Sequence, residues 1–158
     1  MTKVEIVYWK NEVGGELDKK TIKVEPYGYH LTNIAEWKML IAAEDIDVVA
    51  YKPAVVSIEK ITIPKNTIVS PLSIMRHALG VVIDVFQPGE PKKVEEEKTI
   101  TSAIFLPIES GTIKKGQLIG VINVRYVKTS TLKKLKEAII KELEEARWVP
   151  EKGGIVFE

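Results

Sequence analysis

The chain has 158 residues, 45% of them apolar and 28% charged, which suits one soluble globular domain and excludes a disordered chain, a fibre or a disulfide-stapled peptide. With 23 basic and 22 acidic residues the net charge is +1, so no global pull toward nucleic acid or an anionic membrane is expected. Cysteine is absent, which removes disulfides, thiol catalysis, iron–sulfur clusters and Cys-ligated zinc.

The opening MTKVEIVYWK reads as a strand rather than a secretory leader. The apolar-rich stretch 67–86 contains Pro71, Arg76, His77 and Asp84 and is not a membrane span. The expected protein is cytoplasmic, with no membrane partner. Lysine dominates the cations, Glu outnumbers Asp, and Gln occurs only at 87 and 117, a composition resembling that of thermophilic proteins.

Val4, Ile6 and Tyr8 alternate with polar residues, as do Ile22 and Val24 after Gly14-Gly15, predicting an N-terminal hairpin over 3–25. Pro26 to His30 breaks the pattern and reads as an irregular loop. Residues 37–43, WKMLIAA, fit a buried strand better than a helix. From Val48 onward short runs of Val, Ile, Thr and aromatics alternate with turn residues. The fold class is therefore mainly β (α+β): a small β-barrel or two-sheet β-sandwich of about eight to ten strands, with its core over 37–127. In the last long strand both faces of 118–122 are apolar and the later residues polar, so it should begin buried and end near solvent.

Leu132, Leu135, Ile139 and Leu143 form one stripe of a helix over 131–147 that covers one face of the sheet, with Ser130 or Thr131 as cap. Pro150 ends the helix, and Gly153-Gly154 leads to a final strand over 154–157. ITIPKNTIVSPL and GTIKKGQLIGVI echo one another, as related hairpins or as ordinary turn grammar. VEEEK at 94–98 reads as a solvated connection.

Three places carry chemistry. In SPLSIMRHALG, Arg76 and His77 sit among apolar neighbours. A guanidinium there needs an acid, solvent or a ligand anion, and His77 could donate a hydrogen bond or move a proton. The bland alternative pairs Arg76 with a structural acid and His77 with a backbone group. Tyr29 and His30 could wall a small ligand, or merely pack. A metal is not expected; it would need His30 and His77 to converge on Glu44, Asp45 or Asp47. The hydroxyls of Thr129, Ser130 and Thr131, followed by Lys133 and Lys134, could receive a phosphate, although solubility explains them as well. No phosphate loop, dinucleotide fingerprint, nucleophile elbow or HExxH is present, so no cofactor is expected.

The blocks SPLSIMRHALGVVIDV and AIFLPIESGTIKKGQLIGVINV resemble the archaeal family catalogued as domain of unknown function twenty-two. The resemblance spans about residues 55–127 and implies an archaeal origin. It implies no activity and no catalytic residue. The leading expectation is a non-catalytic binding module for a small anionic ligand or a protein partner, with Arg76, His77, Tyr29 and His30 as ligand-binding residues. A homo-oligomer built through a strand edge or the helix stripe is also expected. The rival is an enzyme with His77 as acid or base and Arg76 holding an anionic group. Nucleic-acid binding would need Lys114, Lys115, Lys133 and Lys134 on one face.

Overall fold

The computed structural model describes residues 2–24, 27–149 and 154–157. Twelve strands and one helix occur among them, and the chain is mainly β. The strands are β1 (Thr2–Trp9), β2 (Leu17–Val24), β3 (Tyr27–Ile41), β4 (Ile46–Val48), β5 (Ala54–Ile63), β6 (Thr67–Pro71), β7 (Gly80–Phe86), β8 (Lys98–Pro107), β9 (Gly111–Ile113) and β10 (Leu118–Thr131). Helix α1 (Leu132–Glu145) follows, then β11 (Ala146–Val149) and β12 (Gly154–Phe157).

The strands pair as a β1-β2 hairpin, a sheet in the order β3-β10-β6, a sheet in the order β5-β8-β7, and the short pairs β4-β9 and β11-β12. Among the described residues none of these sheets closes on itself, so of the two expected architectures, barrel or two-sheet sandwich, the barrel is not formed. β10 and β8 each carry a partner on both sides, while β3, β6, β5 and β7 remain edges. Both three-stranded sheets send side chains into one apolar cluster, with Leu40, Val56, Phe105, Ile122 and Val124 all fully buried. That burial is the main stabilising term for a chain of this composition.

The N-terminal hairpin forms as the alternation predicts, with Thr2 opposite Val24 and Trp9 opposite Leu17; Glu25, its expected last residue, lies outside the described residues. The expected loop at 27–30 is instead the first part of β3. The reason is tertiary: β10 is 14 residues long and supplies a partner for all of β3, with Thr131 opposite Tyr27. The irregularity that the sequence suggested sits later, where residues 32–34 oppose Tyr126 alone, a bulge that interrupts the ladder. The expected burial of 37–43 is correct for one side of the strand. Leu40 and Ala42 are fully buried, but Trp37 is 70% and Met39 62% exposed. β10 begins buried on both faces at Ile119 to Ile122 and reaches exposed Arg125, as its residue pattern implies.

The helix is shorter than the expected 131–147. It ends at Glu145, and Arg147 and Trp148 enter β11, opposite Val156 and Ile155 of β12. β-prone residues with a strand partner outweigh two more residues of helix. Pro150 and Gly153 lie outside the described residues. α1 packs against β3 and β10, and the far part of its apolar stripe stays exposed at Ile139 and Leu143.

Candidate functional site

The segment between β6 and β7 is fixed at both ends. Leu72 N–H donates to the Val121 carbonyl at 2.9 Å, and the Leu79 carbonyl accepts from Ile108 N–H at 2.7 Å. Gly80 then passes so close to β8 that a Cβ at this position would collide with the Leu106 carbonyl oxygen. Between these anchors the chain bows outward, and Ile74 and Met75 are exposed. Beneath it lies a cavity of about 260 Å³, bounded by 71–76, by Val81 and Val82 of β7, and by Ile119 to Val121 of β10. Gly120 belongs in this wall because a Cβ there would press on Val82 and Leu40.

Arg76 lines the cavity. Its Nε is buried and has no hydrogen-bond partner, and among the described residues no acid lies within ion-pair distance of its guanidinium. A buried donor on a charged group that bonds to nothing costs about 1–3 kcal/mol or more. The structural-acid alternative for Arg76 therefore has no acid to supply it among the described residues.

His77 is placed differently. It does not line the cavity. Its Nδ1 accepts from Leu79 N–H at 3.1 Å, which leaves Nε2 to carry the proton and donate to Gln117 Oε1 at 2.9 Å. The same Gln117 oxygen accepts from Lys114 N–H at 2.9 Å. The ring meets buried Phe105 edge-on, with centroids 6.1 Å apart. The imidazole thus ties the 77–80 corner to the β9–β10 turn, and both ring nitrogens are engaged.

Tyr29 and His30 do not join this site. They lie on β3 opposite Thr129 and Lys128, eight and seven residues along β10 from Val121, roughly 25 Å of strand away. His30 Nε2 pairs with Glu142 Oε1 of α1 at 3.0 Å, with both side chains partly exposed, and Tyr29 is 43% exposed. The two histidines therefore do not converge, and among the described residues no three His, Asp or Glu side chains are grouped to hold a metal ion. Thr129 to Thr131 continue β10 rather than forming a loop before the helix. The side chains of Ser130, Thr131, Lys133 and Lys134 lie outside the described residues. Among the described residues no helix is long and apolar enough to cross a membrane.

Sequence reasoning missed a second concave region. A cavity of about 470 Å³ separates the N-terminal hairpin from the sheet, walled by Trp9, Val55, Phe86 and Ile104 with Asp84 at its edge. A neighbouring one of about 580 Å³ shares Asp84 and the 85–89 stretch and reaches Lys98. Burial holds the Lys98 ammonium below the usual lysine range, and its Nζ donates to the Glu96 carbonyl at 2.9 Å. Lys98 is thus separate from the solvated run before it, where Glu95 to Glu97 are exposed. The available signal was Asp84 inside the apolar run GVVIDVF, followed by the Pro88 to Pro91 turn.

The comparisons place the chain by sequence. The family model described as "Domain of unknown function DUF22" matches residues 3–111. The match begins at the N-terminal hairpin and stops at the start of β9, so it extends further toward the N-terminus than the two blocks that carried the resemblance. The chain is also 32% identical over 108 residues to the uncharacterised protein MJ0614 of the archaeon Methanocaldococcus jannaschii, covering 66% of this chain and 81% of that protein. No solved structure matches it significantly. A family match over more than half of the chain, with an archaeal relative at this identity, makes this protein a member of the family of domain of unknown function DUF22.

Proposed function

We propose that this protein is a non-catalytic binding module whose cavity, lined by 71–76, 81–82 and 119–121, takes a small carboxylate or a similar anion against Arg76. The observation that carries this reading is the buried Arg76 Nε without a partner, on a side chain that lines a mostly apolar cavity. A small turn of the guanidinium would let a carboxylate in the cavity accept from Nε and one Nη together, the fork geometry that makes guanidinium the preferred partner of planar anions. The volume, about 260 Å³, lies just under the usual range of drug-sized sites and suits a small acid. Apolar walls at Ile119 and Val82 would take its hydrocarbon part. A sandwich-like frame of two facing sheets would hold both walls rigid.

The enzyme reading finds less support. An acid or base needs a ring nitrogen free to reach substrate, and both nitrogens of His77 bond to protein groups away from the cavity.

The test is a thermal-shift and calorimetric screen of mono- and dicarboxylates and inorganic phosphate, with Arg76→Met and Arg76→Lys run beside the parent. A ligand at about 100 times its dissociation constant adds roughly 2.7 kcal/mol of stability. An acid that shifts the parent and not Arg76→Met supports the reading. Equal shifts in both proteins, or none in the parent, overturn it.

A further inference from the structure

Among the described residues β3 is an outer strand, paired only with β10 along its length. The bulge at 32–34 interrupts it at one end. At the other, Ala42 bridges Ile58 and Ala43 N–H donates to the Ser57 carbonyl, so β5 takes over the edge. Between these limits residues 35–41 offer an unpaired backbone edge. Trp37 is 70% exposed and Met39 62%. An open edge carrying a large exposed aromatic is a template for another strand.

The charges on this edge select a partner. Its only ionisable side chains are Glu36 and Lys38, one on each side of Trp37. When two copies of such a strand pair antiparallel about a two-fold axis, one residue faces itself. Registers that keep core-facing side chains on one face differ by whole two-residue steps in the residue sum. With the axis at Trp37, Glu36 of each copy faces Lys38 of the other, and Met39 faces the small Ala35. Shifting the axis to Glu36 or to Lys38 sets like charges face to face, which is destabilising. We infer that the free edge of β3 joins a second copy of this chain in an antiparallel two-fold dimer centred on Trp37, with two reciprocal Glu36–Lys38 pairs.

The intramolecular contact between Lys38 Nζ and Glu36 Oε1, 3.5 Å, is long and partly exposed, the same oxygen accepts from the Tyr126 hydroxyl only at 3.5 Å, and both weak contacts can be exchanged for the intermolecular pairs. The interface would lie beside the Arg76 cavity, because Met39 is opposite Val121 in β10, but the inference is independent of what that cavity binds.

Charge reversal and cross-linking test it. Sedimentation equilibrium should give a dimer for the parent. Lys38→Glu sets Glu against Glu, Glu36→Lys sets Lys against Lys, and each should shift the species to monomer. The double variant Glu36→Lys/Lys38→Glu restores opposite charges and should restore the dimer. Because the chain has no cysteine, Trp37→Cys can form a disulfide only between copies. Opposed Cα atoms in an antiparallel pair, about 4.5–5.5 Å apart, are within disulfide range. Trp37→Cys should oxidise to a covalent dimer, while Ala35→Cys and Met39→Cys alone should not. A monomeric parent overturns the inference. So does a dimer indifferent to Lys38→Glu, a double variant that stays monomeric although folded by circular dichroism, or equal cross-linking at 35, 37 and 39.

Discussion

Asn66 and Gly116, fifty positions apart, occupy matching corners between consecutive strands, β5 to β6 and β9 to β10, and both hold a left-handed backbone, with φ of 58° and 88°. Each stands three residues after a fully buried isoleucine, Ile63 before one corner and Ile113 before the other. The strands leaving the two corners, β6 and β10, pair antiparallel with Pro71 opposite Ile122. A fifty-residue shift converts that pair into Val121 and Leu72, and Leu72 N–H does donate to the Val121 carbonyl. The sequence echo thus has matching turn backbones at its two copies, and residues 71–72 and 121, on the strands that leave them, line the cavity beside Arg76.

The left-handed corners can be tested alone. A Cβ at Gly116 would touch nothing within 4 Å, so Gly116→Ala adds backbone strain and no clash. It should cost about 1–2 kcal/mol in denaturant unfolding. Asn66→Ala should cost less, because Asn itself already bears part of that strain. Equal stability of Gly116→Ala and the parent would contradict the assigned backbone.

Gly80 is a different case, because its constraint is the neighbouring strand. A side chain there meets the Leu106 carbonyl oxygen, which belongs to the backbone and cannot swing aside. Gly80→Ala should cost about 3 kcal/mol or more, at or above the upper end of overpacking penalties. It should also weaken whatever binds at the cavity, since residue 80 sets where the 72–79 segment rejoins the sheet.

Arg76 should show the reverse sign. Without ligand, Arg76→Met replaces an unpaired buried donor by a side chain of similar reach, and thermal unfolding should show stability unchanged or raised by about 1 kcal/mol. A loss of several kcal/mol would mean that Arg76 has a structural partner.

His77 and Gln117 should behave as one unit. His77→Ala strands the Leu79 N–H, and Gln117→Ala strands the Lys114 N–H and the His77 Nε2–H. Each should cost about 0.5–1.5 kcal/mol. In a double-mutant cycle the sum of the single losses should exceed the loss in the double variant by at least about 0.5 kcal/mol. Strict additivity would separate the two residues.

Acid should release one local device. The Glu96 carboxyl is held below its ordinary 4.5, first by the Lys93 N–H that it accepts and then by Lys92, Lys93 and Lys98 nearby, while partial desolvation opposes them. A carboxyl with a depressed folded value binds fewer protons folded than unfolded. Its contribution is thus full above about 4.5 and is lost as pH falls through the folded value. Glu96→Gln keeps an acceptor oxygen without the titration. Stability measured from neutral pH downward should fall less steeply in that variant, and identical slopes would rule the device out.

Local rules were enough for much of this protein. Alternation gave the N-terminal hairpin, because a strand with one wet face writes its period directly into the residues. Turn chemistry at Asn66 and Gly116, the β-rich class and the existence of α1 were likewise readable, since each depends on neighbours within a few positions. Arg76 stood out because a guanidinium among apolar residues needs a reason wherever it lies. What the tertiary structure decided depended on partners far along the chain. The length of β10 turned Tyr27 to His30 from loop into strand and carried Tyr29 and His30 away from Arg76. Packing under the 72–79 segment left Arg76 Nε without a partner, whereas Leu79 and Gln117 engaged both nitrogens of His77, a contrast that two adjacent letters cannot express. Open sheet edges in place of a barrel, and Trp37 facing outward from a strand that reads as buried, follow from which strands find each other, and pairing energy is set by long-range register rather than by local sequence.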